Sequence, residues 1–330
     1  MKHTKFSMVA GALALTAGSA LAQDVTVRLG TVYQPTHEIS VASDEFARLV
    51  KEKSNGSMEV QVFYAEELGS EREMAEMTRA GGLEMVESGL PGTGSFVPQI
   101  EVMEAFYTYG DIEDLQRVIA GISDDLNAWM EPQGFHLVGA MYQGPRNVLS
   151  KKPVRTLADM QGLRLRVPQT PLFVALAQAW GATPTAIAFS EAYSALENNV
   201  VDAVDGTEEA MVTMGFSEVA KYQTITLHNF YPQPMVANLD WWNGLTDEQR
   251  KILEDSAKEA ADFQIKLHAK KQAEIRAELE ARGVEIIEPA NLDEFRAPVL
   301  EAMDAYFKAK GDDVHAVYQK MKEVAGSDQD

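Results

Sequence analysis

The chain has 330 residues, with 50 acidic against 29 basic side chains for a formal charge of −21, and no cysteine. That acidity argues against nucleic acid or anionic lipid as a partner, so an anionic ligand must be met by a local cationic site. The lack of cysteine and the six scattered histidines argue against a zinc centre and rule out disulfide scaffolding.

The first 22 residues read as an export signal. Lys2 and Lys5 give it a positive start, Phe6 to Leu15 is apolar but too short to span a bilayer, and Ala20-Leu21-Ala22 is an A-x-A cleavage site. A mature chain beginning near Gln23 is therefore expected in the periplasm. No later stretch approaches the roughly 20 apolar residues of a transmembrane helix, so direct membrane insertion is not expected.

Length alone fits two domains, and internal repeats and low-complexity segments are absent. Val25, Val27 and Leu29 alternate as a first strand, followed by a helix over 38–53 whose apolar stripe holds Ile39, Val41, Phe46, Leu49 and Val50. Met58, Val60, Val62 and Tyr64 alternate as a second strand. A helix over 70–80 follows, with Ser70 as cap and Glu73 completing a capping box. This β-α-β-α opening predicts a parallel sheet with right-handed crossovers.

In the middle, His136 to Met141 and Asn147 to Leu149 read as strands on either side of a turn at Gln143-Gly144-Pro145-Arg146. Leu163 to Val167 forms another strand, 170–180 a helix, 183–188 a strand, Ser190 to Asn198 a capped helix, and Val200 to Val204 a short strand. From Tyr222 to Leu239 two strand runs flank Asn229-Phe230-Tyr231-Pro232. Two α/β lobes joined by crossing strands are the expected product. A proline-free helix then runs from the N-cap Thr246 to Ala281, with Gly283 as the stop. At 1.5 Å per residue it spans roughly 54 Å, enough to reach across both lobes or to protrude as a dimer arm. Its apolar positions, among them Leu253, Ala257, Ala261 and Ile265, favour packing.

Arg166 carries the chemistry. Alternation in Gly162-Leu163-Arg164-Leu165-Arg166-Val167-Pro168 sets Arg166 opposite the apolar face, at the carboxyl end of a strand, where open α/β sheets place their ligands. A guanidinium there suits a carboxylate, phosphate or sulfonate through paired hydrogen bonds, although a surface arginine with a salt-bridge partner would read the same way.

Four ordered motifs make the chain similar to the substrate-binding proteins of TRAP transporters, of the dicarboxylate-binding protein type. They are Leu68-Gly69-Ser70-Glu71-Arg72-Glu73-Met74, Gly162 to Pro168, Ala188-Phe189-Ser190-Glu191-Ala192-Tyr193-Ser194-Ala195-Leu196, and Val204-Asp205-Gly206. The resemblance covers nearly the whole mature chain. It implies the two-lobed periplasmic binding protein fold, one lobe from 23–143 with 232–271 and the other from 144–231 with 272–330, hinged by crossing strands and braced by the long helix. It also implies a periplasmic receptor that delivers an organic acid to a small and a large integral membrane subunit, and neither an enzyme nor a holder of any cofactor.

By the same resemblance Arg166 clamps the ligand carboxylate, Arg146 is a second binding arginine, Glu71 a polar contact, Phe189 an aromatic wall and His228 a contact near the return crossing. His37, in a loop after Gln34-Pro35-Thr36, is a further candidate. One departure concerns Asp205-Gly206-Thr207-Glu208-Glu209-Ala210, where similar proteins read Asp-Gly-Gln-Glu-Asn-Pro: Glu209 replaces an asparagine that helps hold the carboxylate. A cleft pairing Arg146 and Arg166 with Glu71 and Glu209 suits a hydroxylated carboxylate such as a sugar acid, or a zwitterion, better than a plain dicarboxylate.

Plainer readings stand beside these. Phe189, Tyr193 and Leu196 sit at helical core spacing. Trp241 and Trp242 fit packing at the root of the long helix, and nothing in spacing decides whether Tyr107 and Tyr109 line the cleft. Nucleophile-elbow, zincin, P-loop and dinucleotide motifs are all missing, which leaves an enzyme reading without support. A receptor that presents its ligand to a membrane sensor kinase is the competing alternative.

Overall fold

The computed structural model describes residues 25–326; the expected export signal and its cleavage site lie outside them. Among the described residues nine strands, named in chain order, form one continuous sheet: β1 Val25–Gly30, β2 Met58–Phe63, β3 Met85–Glu87, β4 Phe135–Ser150, β5 Arg164–Val167, β6 Thr183–Ala186, β7 Ala203–Thr207, β8 Tyr222–Asn238 and β9 Glu285–Ile287. Their spatial order is β2-β1-β3-β8-β4-β7-β5-β6, with β9 alongside β8. In the first lobe β2, β1 and β3 run parallel; in the second β6, β5 and β7 do.

The link between the lobes is the antiparallel pair β4 and β8. Each is one long strand, where the sequence reading expects two strands and a turn at Gln143 to Arg146 and again at Asn229 to Pro232. Pro145, Pro232 and Pro234 are the source of that misreading, because proline signals turns locally. The missing N–H groups of Pro145 and Pro232 fall where the ladder is already irregular: the register shifts between Tyr142 and Pro145 and between Arg146 and Val148. At the second shift residues 225–228 of β8 stand against Asn147 alone, with Leu227 in the left-handed region at φ 47°.

Helices cover both faces as β-α-β units require. Glu38–Lys53 packs on β2 through Ile39, Phe46 and Val50, all fully buried. Glu71–Arg79 begins with the expected capping box, Ser70 and Glu73 each satisfying the other's backbone N–H. Ala192–Glu197 starts two residues beyond Ser190, with Glu191 at its N-cap position.

The long helix Asp247–Ala281 packs rather than protrudes, running against Glu38–Lys53, β4 and the helix Glu208–Thr213. Two final helices, Asp293–Lys310 and Asp312–Ala325, clasp both lobes. The first packs on Pro171–Ala179 and takes a hydrogen bond from Trp180 Nε1 to the Phe295 carbonyl at 3.0 Å, while the second packs on Ile112–Gly121. No helix among the described residues is long and apolar enough to cross a membrane.

Candidate ligand-binding cleft

The parallel strands of both lobes end at one cleft. The loop after β1 supplies Val32 and Tyr33; those after β2 and β3 supply Glu66, Ser70, Glu71, Arg72 and Pro91. From the second lobe, the loops after β5 and β6 bring Pro168, Gln169, Ala188 and Phe189, the end of β7 brings Gly206 and Thr207, and the crossing pair adds Gln143, Arg146 and Tyr231. Ligand sites in open α/β sheets sit at strand carboxyl ends because the amide-rich loops there converge.

Arg166 lies at this junction, 2% exposed. Its Nε and Nη2 both donate to the Ile187 carbonyl, at 3.0 and 2.7 Å, which fixes the plane of the guanidinium. Among the described residues no carboxylate forms an ion pair with it; Asp205 and Glu71 act on it only through space. Burial, with Arg146 nearby, brings its pKa down to about 10, so it stays cationic at neutral pH while paying a desolvation cost that a bound anion would relieve. Its charge lies over the Phe189 ring, 5.8 Å from the centroid.

Arg146 is differently placed. Its Nε and Nη2 grip both oxygens of Asp205 at 3.0 and 2.5 Å, and its guanidinium sits 5.0 Å from the ring centres of Phe173 and Tyr231. Asp205 also meets His228 Nε2 at 2.7 Å, and His228 Nδ1 meets the Thr226 hydroxyl at 2.8 Å. Burial opposes the charge of both Arg146 and Asp205, yet their pairing wins: Arg146 is held above its ordinary range and Asp205 far below its own. His228, by contrast, is lowered by burial despite Asp205.

Across the cleft, Glu71 Oε1 accepts from the Gly89 N–H at 2.7 Å. Burial pushes this carboxyl up to about 7, against the pull of that N–H. Gly89 is required there, because a Cβ would stand 2.5 Å from the Tyr231 hydroxyl. Tyr33 and Gln143 hydrogen-bond each other at 2.5 Å, and Tyr33 also donates to Gln233 at 3.0 Å.

Of the residues singled out from sequence, Arg166, Arg146, Glu71 and Phe189 line the cleft together. His228 lies behind that wall, fully buried and edge-on to Trp180 at 5.1 Å. His37 stacks on the back of Tyr33 at 4.3 Å, and Glu209 sits beside His37 and Glu38 rather than among the lining residues. Tyr107 and Tyr109 are away from the cleft, hydrogen-bonded to the carbonyls of Thr226 and Met103. Trp242 packs on His136 at 4.4 Å near the root of the long helix.

Tyr33, Gln143, Gln169 and Tyr231 line the cleft without having drawn notice in the sequence. Position just past β1 was the available signal for Tyr33, and the false turn hid Gln143 and Tyr231. Among the described residues no cluster of three or more His, Cys, Asp or Glu is arranged to hold a metal.

The model of bacterial extracellular solute-binding protein family 7 matches residues 29–310. The 2,3-diketo-L-gulonate-binding periplasmic protein of Escherichia coli K12 is 30% identical over 84% of this chain and 85% of its own. Two solved TRAP periplasmic solute-binding proteins share the fold. One, from Roseobacter denitrificans with bound β-D-glucuronate, has a TM-score of 0.84 and 29% identity over 90% of this chain and 99% of that one. The other, from Actinobacillus succinogenes with bound L-galactonate, has a TM-score of 0.85 and 27% identity over 92% and 100%. The chain therefore belongs to the DctP family of TRAP-transporter solute-binding proteins, which are receptors and not enzymes.

Proposed function

We propose that this protein is a periplasmic receptor that captures a sugar acid, a hexuronate or hexonate, between its lobes and hands it to the membrane subunits of a TRAP transporter. The observation that carries this reading is the unpaired, buried and oriented guanidinium of Arg166. Two of its N–H groups hold the Ile187 carbonyl, and those left over are available to a carboxylate in a pocket that water barely reaches. Arg146 adds a lesser share, since Asp205 already takes most of its charge.

The opposite wall selects for hydroxyls. A Glu71 that titrates near neutrality is a poor counter-charge for an ammonium but a good partner for hydroxyl groups, accepting when ionised and donating when protonated. Tyr33, Gln143 and Gln169 add further groups of both kinds. This favours a polyhydroxy acid over a zwitterion, and it agrees with the glucuronate and galactonate held by the two solved relatives. Phe189 and Tyr231 offer ring faces to the carbon skeleton, and the ligand would bring the lobes together by touching both.

A thermal-shift and calorimetric panel of D-glucuronate, D-galacturonate, L-galactonate, succinate, fumarate and an aminosulfonate tests this. A sugar acid at about 100 times its dissociation constant should add roughly 2.7 kcal/mol of stability, with compaction in small-angle scattering. Tight binding of succinate or fumarate alone would refute the ligand class.

A further inference from the structure

Beside the pocket, where the long helix passes the crossing strands, the starts of two helices from different lobes meet. His37 caps Glu38–Lys53 through Nδ1, which accepts from the Ile39 N–H at 3.2 Å. The ring proton therefore sits on Nε2, which faces Glu209 Oε2 at 3.6 Å; neither atom has a hydrogen-bond partner. Glu209 Oε1 accepts from the Glu38 N–H at 2.8 Å. A side chain of the second lobe thus satisfies one of the free amides at the start of a first-lobe helix.

The carboxyl group of Glu38 faces that of Glu209, and it reaches His268 Nδ1 of the long helix at 2.9 Å. His268 comes this close because residue 144 is glycine: a Cβ there would lie 2.2 Å from its ring. Glu38, His37 and Glu209 are 2, 2 and 5% exposed.

Little nearby neutralises this pair. Lys271 of the long helix acts on Glu209 only through space. The neighbouring Glu208 is occupied by Arg276 at 2.6 Å and by Gln223 at 2.8 Å. His37 cannot become the missing cation, since burial, with Lys271 and His268 adding, pushes it down to about 3.

We propose that Glu209 is a latch between the lobes: in its protonated form it holds the closed arrangement by gripping the start of the first-lobe helix beside the Glu38 carboxyl, and it lets go when it ionises. It is a positioning residue, setting how long a ligand is held rather than which ligand is chosen. Burial first, and the facing Glu38 second, push Glu209 up to about 8. In an opened receptor the carboxyl meets water and returns toward its ordinary value of 4.5. Closing therefore takes up a proton between those two values. The stabilisation of the closed form is complete below the ordinary value and is lost as pH rises through about 8.

The chain contains no cysteine, so Glu76→Cys and Glu197→Cys, exposed sites on the first and second lobes, accept one spin label each. Pulsed electron resonance on the ligand-free chain should show the two labels moving apart as pH rises through about 8. Glu209→Gln keeps an acceptor for the Glu38 N–H and gains a donor for its carboxylate, so its label distance should stay short at every pH. Glu209→Ala should stay open throughout. With D-glucuronate as probe, Glu209→Ala should raise the dissociation rate at least about tenfold with association unchanged, and Glu209→Gln should flatten the pH dependence of affinity. Repeating this in a Glu71→Gln background removes the other carboxyl that titrates nearby.

Label distances indifferent to pH and to both substitutions would overturn the latch, whatever the ligand does. So would an altered affinity in Glu209→Ala with label distances unchanged, since that marks a direct ligand contact. The latch rests on the receptor reading only for the D-glucuronate measurements: label distances that respond as expected, with no D-glucuronate binding, would count against the ligand class alone and support the latch.

Discussion

Arg146 on β4 and Arg166 on β5 stand on either side of β7, both almost entirely buried, and the structure uses them in opposite ways. Arg146 is held by both oxygens of Asp205, flanked by two rings and backed by His228. Arg166 has a single carbonyl to hold and, among the described residues, no carboxylate within ion-pair distance. A buried charge that is already paired belongs to the architecture, because breaking the pair strands its partner. One left unpaired is a standing cost to the free protein and a gain to whatever anion arrives.

The largest expected effect falls on the paired side. Asp205→Asn should leave Arg146 buried without compensation and cost about 3–5 kcal/mol of stability at pH 7, measured by urea unfolding. Because Asp205 is held below its ordinary range, its contribution is present at neutral pH and is lost only as pH falls through its native value. The stability curves of wild type and variant should therefore converge only in strong acid.

On the unpaired side the effects should separate. Arg166→Ala is expected to lower sugar-acid affinity by about 1.5–3 kcal/mol, more than tenfold, with unfolding stability unchanged or raised. Lysine at the same position should recover only part of the affinity, for want of the planar fork. A loss of stability in Arg166→Ala equal to that in Asp205→Asn would erase the contrast. The smallest effect belongs to Arg164, two residues earlier on β5, which is exposed and pairs with Asp202 at 2.6 Å on the sheet's far end. Arg164→Ala should leave calorimetric affinity where it was.

How much of this was legible in the sequence divides along the same line. Periodicity and caps located the helix Glu38–Lys53, the box at Ser70 and Glu73, and the long helix almost to the residue, because those signals are local. Alternation placed Arg166 at a strand end. What it did not reveal was pairing: nothing in the spacing of Arg146 and Asp205 tells that one consumes the charge of the other across 59 positions. From sequence, Glu209 is a candidate ligand contact only through a single departure at a familiar motif. In the structure its carboxyl meets the Glu38 N–H, 171 positions away. The prolines of β4 and β8 misled for a related reason, since the irregular ladder that tolerates them exists only once the two strands are side by side.

That pair of strands has a mechanical consequence. Because the sheet runs unbroken from one lobe to the other, the crossing strands join the lobes as a flexure and not as a pivot, and bending there is spread over the misregistered stretch. A flexure has an elastic range and a preferred plane. The span of molecules this receptor can enclose is thus bounded by how far two hydrogen-bonded ribbons can bow, a limit that recarving the pocket walls would not move.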